Sequence, residues 1–156
     1  MADLTPRTGV FAGDTSVVDT TLRHQLGTRS FDTDGNEYIY LTGLLATEAG
    51  TWVSFDEDNV TLILTANAVG RVGIAMAAIV ASSYGWYQIY GKNEIAKSDT
   101  TISTDKQLYI DGTAGRVDDD DVAGDAVIGA LSRSTATSNV ITAEINYPFV
   151  CNVAID

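Results

Sequence analysis

Asp118-Asp119-Asp120-Asp121, with Asp125 close behind, is the densest charge in the chain and the first candidate for cation chemistry. Four adjacent carboxylates repel one another, so a counter-charge or a bound cation would relieve them. Successive side chains of an extended segment point opposite ways, so two at most share one ion. A weak cation site and a solvated loop after Val117 both fit this run, the loop better. Asp32-Thr33-Asp34-Gly35-Asn36-Glu37 has the acids of a calcium loop, but such a loop needs Gly sixth and Glu twelfth. Counted from Asp32, those positions hold Glu37 and Gly43, so an acidic hairpin turn is the better reading.

Nucleophilic chemistry finds less to work with. His24 is the only histidine, and a Ser-His-Asp arrangement would have to use it, away from any nucleophile-elbow pattern. Cys151 is the only cysteine, which excludes an intrachain disulfide; in Pro148-Phe149-Val150-Cys151 it reads as a small buried side chain. Paired carboxylates for glycoside hydrolysis follow no readable spacing among 21 acids. Gly70, Gly73 and Gly85 lack the spacings of a phosphate-cradling loop. The expectation is a protein without catalytic, metal or cofactor site, and not an enzyme. Asn59-Val60-Thr61 matches a glycosylation sequon. The Met1 to Arg7 start lacks an apolar signal core, so cytosolic synthesis is expected and the match reads as chance.

The elements that would position any site are strands. Val69 to Gly91 is the most informative stretch: an eight-residue run without a polar side chain, Ile74 to Ala81, precedes Tyr84-Gly85-Trp86 and the alternating Tyr87-Gln88-Ile89-Tyr90. A buried strand, a corner at Gly85 and an aromatic strand closed by Gly91 explain that order. A buried helix over Ile74 to Ala81 is the competing reading, because Ala and Met favour helix. Gly85, Trp86, Tyr87 and Tyr90 are therefore expected as a structural motif. Their rings suit a sheet core, a subunit interface or a sugar-stacking face, cores being commonest.

Further strands are expected at Tyr38 to Leu41, Thr51 to Phe55, Val60 to Thr65, Gln107 to Ile110, Gly115 to Val117, Val127 to Leu131 and Val140 to Ile145, with a polar connection over Lys92 to Thr104. About eight short strands with turn residues between them predict an all-β antiparallel sandwich or barrel-like domain. Residues 1–30 differ, with scattered apolar residues and no sustained period. They read as an extended N-terminal arm ahead of a β domain over residues 31–156.

Charge is divided along the same boundary. The net charge is −12, while Asp3, Asp14 and Asp19 in the arm are balanced by Arg7, Arg23 and Arg29, so the body carries it all. An acidic body repels nucleic acid and anionic lipid, so neither is an expected partner.

Val72-Gly73-Ile74-Ala75, Ser83-Tyr84-Gly85-Trp86-Tyr87-Gln88-Ile89-Tyr90-Gly91, Ala114-Gly115-Arg116-Val117-Asp118-Asp119, Gly129-Ala130-Leu131 and Asn146-Tyr147-Pro148-Phe149-Val150 together resemble the head-decoration (cement) proteins of tailed bacteriophages. The resemblance spans roughly residues 37–151. It implies a β-rich domain, commonly a homotrimer, on the outer capsid surface, where it clamps neighbouring subunits of the major capsid protein. Residues 1–30 lie outside the resemblance, which implies that terminal arms vary and often make the capsid contacts. Val10, Phe11, Val17, Val18, Leu22 and Leu26 are expected to fill partner pockets, with Arg7, Arg23 and Arg29 pairing with carboxylates. A virion-surface module that binds carbohydrate through Trp86 and nearby tyrosines is the alternative expectation, and a hydrolase using scattered acids comes last.

Overall fold

The computed structural model describes residues 13–152 and is all-β, with no helix among them. In chain order the strands are β1 (Arg29–Phe31), β2 (Glu37–Thr42), β3 (Trp52–Phe55), β4 (Thr61–Ile63), β5 (Val69–Ala75), β6 (Tyr84–Lys97), β7 (Gln107–Ile110), β8 (Val117–Asp118), β9 (Ala126–Ser132) and β10 (Val140–Cys151). They join into one antiparallel sheet in the order β1-β2-β6-β5-β10-β9-β7-β8, with β3 on the other edge of β5 and β4 beyond it.

Alternation along β2 shows how side chains divide the sheet. Tyr38 and Tyr40 go to one face and Ile39 and Leu41 to the other, and all are buried. Ile39 and Leu41 join Val53, Phe55, Ala75, Ile79, Tyr87 and Ile89 in one core. Trp52, Val72 and Ile74 point from β3 and β5 into a second core, closed by Leu108, Val127, Ile141 and Ile145. Strands buried on both faces lose the polar-out alternation of a half-wet sheet. Tyr40 and Trp86 form a third cluster with Tyr38, and Leu26 packs against it.

Two expected boundaries move. The Val69–Gly91 unit is a hairpin, with Ile74 opposite Gln88 and Ala75 opposite Tyr87, but its first strand ends at Ala75. Residues 76–83 form the connection, which bends at Ser82 (φ 64°) and drops Ile79 fully into the core. Gly85 lies inside β6 rather than at a corner. A methyl there would come 2.7 Å from Ile79 Cδ1, so the position is small because Ile79 fills the space above it.

The other shift is in length. β6 runs through Gly91 to Lys97, where a polar connection is expected, because Asn93 is buried and its amide donates to Gln88 Oε1 at 2.9 Å. Gln88 in turn donates to the Tyr90 and Lys92 carbonyls, so polar side chains brace the strand from inside. Residues 13–28 lie along the sheet ahead of β1, which itself spans the expected boundary after Ser30. Asp19 exchanges backbone hydrogen bonds with Tyr84 (2.9 and 2.8 Å), and Tyr40 exchanges them with Gly27 and Thr28.

Candidate functional site

One strand junction gathers exposed aromatics, fixed charges and a strained backbone. β5 has two edges; β3 fills one, while β6 and β10 share the other. Ile74 and Ala75 pair with β6, and Val69 to Arg71 pair with Cys151 to Phe149 of β10. β10 must therefore leave β6 after Asn146, which faces Tyr90, and rejoin the sheet on β5 at Phe149. Tyr147 and Pro148 span that step. Tyr147 takes φ 45°, rare for an aromatic residue and disfavoured before proline, and Pro148 needs no ladder partner where the ladder breaks. Such strain persists only where the surroundings enforce it, and it concentrates at functional positions.

The surroundings are specific. Tyr147 donates its hydroxyl to Glu37 Oε2 at 2.5 Å, and Arg29 Nη1 holds Glu37 Oε1 at 2.7 Å. The Arg29 guanidinium also stands 5.7 Å from the centre of the Tyr147 ring. The bond to Glu37, then burial, push the Tyr147 hydroxyl above its usual range, so it remains a donor. Tyr90 leans on Tyr147 with ring centres 5.2 Å apart. Both rings are partly in solvent, at 40% and 48% exposure, and Phe149 follows at 43%.

The bulge inverts the pleat. Glu144 and Asn146 point outward before it, and Tyr147 and Phe149 after it. A notch of about 40 Å³ lies at the junction between Arg29 and Arg71, floored by Phe55, Val72, Ile89 and Pro148. Arg71 stacks 4.5 Å from the Phe55 ring centre and donates to the Asp56 carbonyl. Beside it an open cleft of about 430 Å³ runs from Tyr90 and Lys92 to Arg133 and Glu144. These groups suit recognition of another molecule by stacking and directed hydrogen bonds.

The residues singled out in the sequence are dispersed. Arg7, Val10 and Phe11 lie outside the described residues. Val18 and Leu26 pack, half-buried, on this chain's own cores, and Arg23 pairs with the buried Asp19 at 2.9 Å. Val17 and Leu22 stand in solvent, at 43% and 55% exposure. Arg29 and Tyr90 reach the junction, though Arg29 was expected to pair with partner carboxylates and Tyr90 to form part of a structural motif. Trp86 and Tyr87 are buried and offer no free ring face, and the His24 ring lies 5.3 Å from that of Trp86. Glu37, Arg71, Arg133, Glu144 and Tyr147 had no assigned role; the signal for Tyr147 was a Tyr-Pro inside a strand pattern.

The two acidic motifs resolve locally. Asp32 accepts from the Asp34 and Asn36 amides, from Asn36 Nδ2 and from the Tyr38 hydroxyl, so its own turn satisfies it. Asp118 Oδ1 accepts the Asp120 amide at 3.2 Å and Asp119 Oδ2 the Ser103 amide at 2.9 Å. Among the described residues no three His, Cys, Asp or Glu are grouped to hold a metal ion. Cys151 is half-buried at the end of β10.

Burial, with the charges of Asp111, Asp120 and Asp99 behind it, pushes the Asp118 carboxyl up to about 6. The folded chain thus holds a proton there that the unfolded chain releases near pH 4. Stability from this group is complete below pH 4 and is lost as pH rises to about 6. We expect Asp118→Asn to stabilise the fold at pH 7 by about 1 kcal/mol after solvent screening, and not at pH 4. Urea melts at both values check this; equal shifts would contradict it.

Comparison with family models, with curated proteins and with solved structures finds no match to this chain.

Proposed function

We propose that this chain is a structural virion protein, a bacteriophage capsid decoration (cement) protein that acts as a homotrimer. On this reading it binds the outer surface of the head and bridges neighbouring subunits of the major capsid protein, without catalysis. The observation that carries the reading is the segment ahead of β1. Asp19, Val18, His24 and Leu26 fasten it to the sheet, while Val17 and Leu22 face solvent from an acidic body. An anchored strap presenting apolar side chains suits a passive clamp, because little ordering entropy remains to be lost on docking. Repeated copies on one shell would add avidity.

The test is co-sedimentation of the full chain with expanded heads from the virus that encodes it, prepared without decoration protein. Saturable binding is expected, and Val17→Asp with Leu22→Asp is expected to weaken it at least about tenfold while leaving the melting curve in place. A folded chain that ignores the heads would sink the proposal. Wild-type binding by the double variant would remove the strap from it. Light scattering should give the mass of a trimer; the mass of one chain would remove the trimer.

A further inference from the structure

We infer that the cleft beside the strand junction is a saccharide-binding site, with the Tyr90 ring as its stacking surface and Tyr147 behind it. The inference stands apart from shell attachment. Across the outer face of β6 and β10, Tyr90 lies opposite Asn146 and Lys92 opposite Glu144, with Arg133 beyond Ser132 at the end of β9. These side chains line the cleft, whose volume of about 430 Å³ lies in the range of small-ligand sites.

The polar groups are held in place before any ligand arrives. Arg133 Nε binds Glu144 Oε2 at 2.7 Å and its Nη1 binds Asp105 Oδ1 at 2.5 Å. Lys92 binds Glu94 at 2.5 Å. Each cation is thus matched by carboxylates, so the cleft carries no positive excess to draw a phosphate or a nucleic acid, and the whole chain is at −12. What remains is a mixed set of donors and acceptors: guanidinium N–H, carboxylate oxygen, side-chain amide and ammonium. Neighbouring hydroxyls of a sugar ring, each both donor and acceptor, suit such a set.

The aromatic pair supplies the other half. A sugar's axial C–H face is apolar and lies flat on a ring, which favours aromatic platforms that are already oriented. Tyr147 stands outside the cleft's lining and buttresses Tyr90, its hydroxyl tied to Glu37 and the Arg29 guanidinium against its ring. Tyr90 rests on it at an interplanar angle of 32°. The two rings stay wet in this chain while Trp86 and Tyr87 are buried, so stacking can occur here and not at the Trp86 motif.

The test is an array of neutral oligosaccharides and bacterial surface polysaccharides, with heparin and single-stranded DNA as polyanion probes, read with the full-length chain. Retention of a neutral or weakly charged glycan is expected. Tyr90→Ala and Arg133→Met are each expected to weaken it about tenfold or more, with circular dichroism unchanged. Should Tyr90→Ala fold poorly, Tyr90→Leu keeps bulk and removes the ring, and the same loss is expected. No retained glycan, retention of polyanions alone, or binding indifferent to both substitutions would each overturn the inference.

Discussion

Trp52→Ala should be among the most damaging single substitutions in this protein, costing about 3–5 kcal/mol. Trp52 has no exposed surface and packs in the core formed by β3, β5, β7, β9 and β10. Deleting its ring forfeits the transfer energy of a large side chain and leaves a cavity that paired strands cannot close. Trp52 also ties two distant parts of the chain, since its Nε1–H donates to the Lys97 carbonyl at 3.0 Å. Its backbone N–H reaches the Gly115 carbonyl at 3.0 Å, and its own carbonyl accepts from Leu64. Those backbone bonds survive the substitution, so the loss belongs to packing and the indole bond. Trp52→Phe separates the two: it keeps most of the bulk and removes the indole donor from the Lys97 carbonyl, and about 1–3 kcal/mol is expected. Domains of this size hold only about 5–15 kcal/mol in total, so the alanine variant should melt early or fail to accumulate. Urea melts measure the difference through the midpoint at constant slope. A loss under about 1 kcal/mol for Trp52→Ala would mean the core collapses onto the gap, contrary to this account.

Most of the strands were legible in the sequence because their side chains obey the pleat. Gln107-Leu108-Tyr109-Ile110 gives β7 with its bounds, and Tyr38-Ile39-Tyr40-Leu41 gives β2 short by one residue at each end. β6 and β10 were cut short for physical reasons that sequence pattern cannot display. Lys92, Asn93 and Glu94 look like a loop unless one knows that Gln88 and Asn93 satisfy each other inside the sheet. Pro148 looks like a terminator unless a third strand takes over the pairing, and here β5 does. His24 was read only as part of an extended arm, and its ring packs edge-on 5.1 Å from that of Tyr40. A lone aromatic among Thr, Arg and Gln carries no periodic signal, so only the fold reveals it. The junction was illegible for the same reason: Arg29 and Glu37 from neighbouring strands meet Tyr90 and Tyr147 from strands far along the chain.

Gly50→Ala should rival the tryptophan substitution while removing nothing. Gly50 sits at φ 83°, where a side chain costs roughly 1–2 kcal/mol. A methyl there would also overlap the Ile95 carbonyl oxygen, a backbone atom that cannot rotate aside. The backbone cannot yield from the other side either. Gly50 donates its N–H to the Ala75 carbonyl at 2.8 Å and accepts from Lys97 at 2.9 Å, pinning the end of β5 to the end of β6. Relief of the overlap must break one of these bonds or shift a strand, so the total cost is expected near about 3–4 kcal/mol. Gly35 provides the control. It has φ 87° in the Asp32 turn, but nothing lies within 4 Å of the added methyl, so Gly35→Ala should cost only the conformational share, about 1 kcal/mol. The difference between the two alanine variants in one urea series measures the overlap alone. Equal losses would show that handedness of the backbone, and not the approach of β6, keeps position 50 a glycine. Gly50→Asn extends the argument, since asparagine tolerates positive φ yet carries the same Cβ. If overlap dominates, asparagine rescues little of the loss.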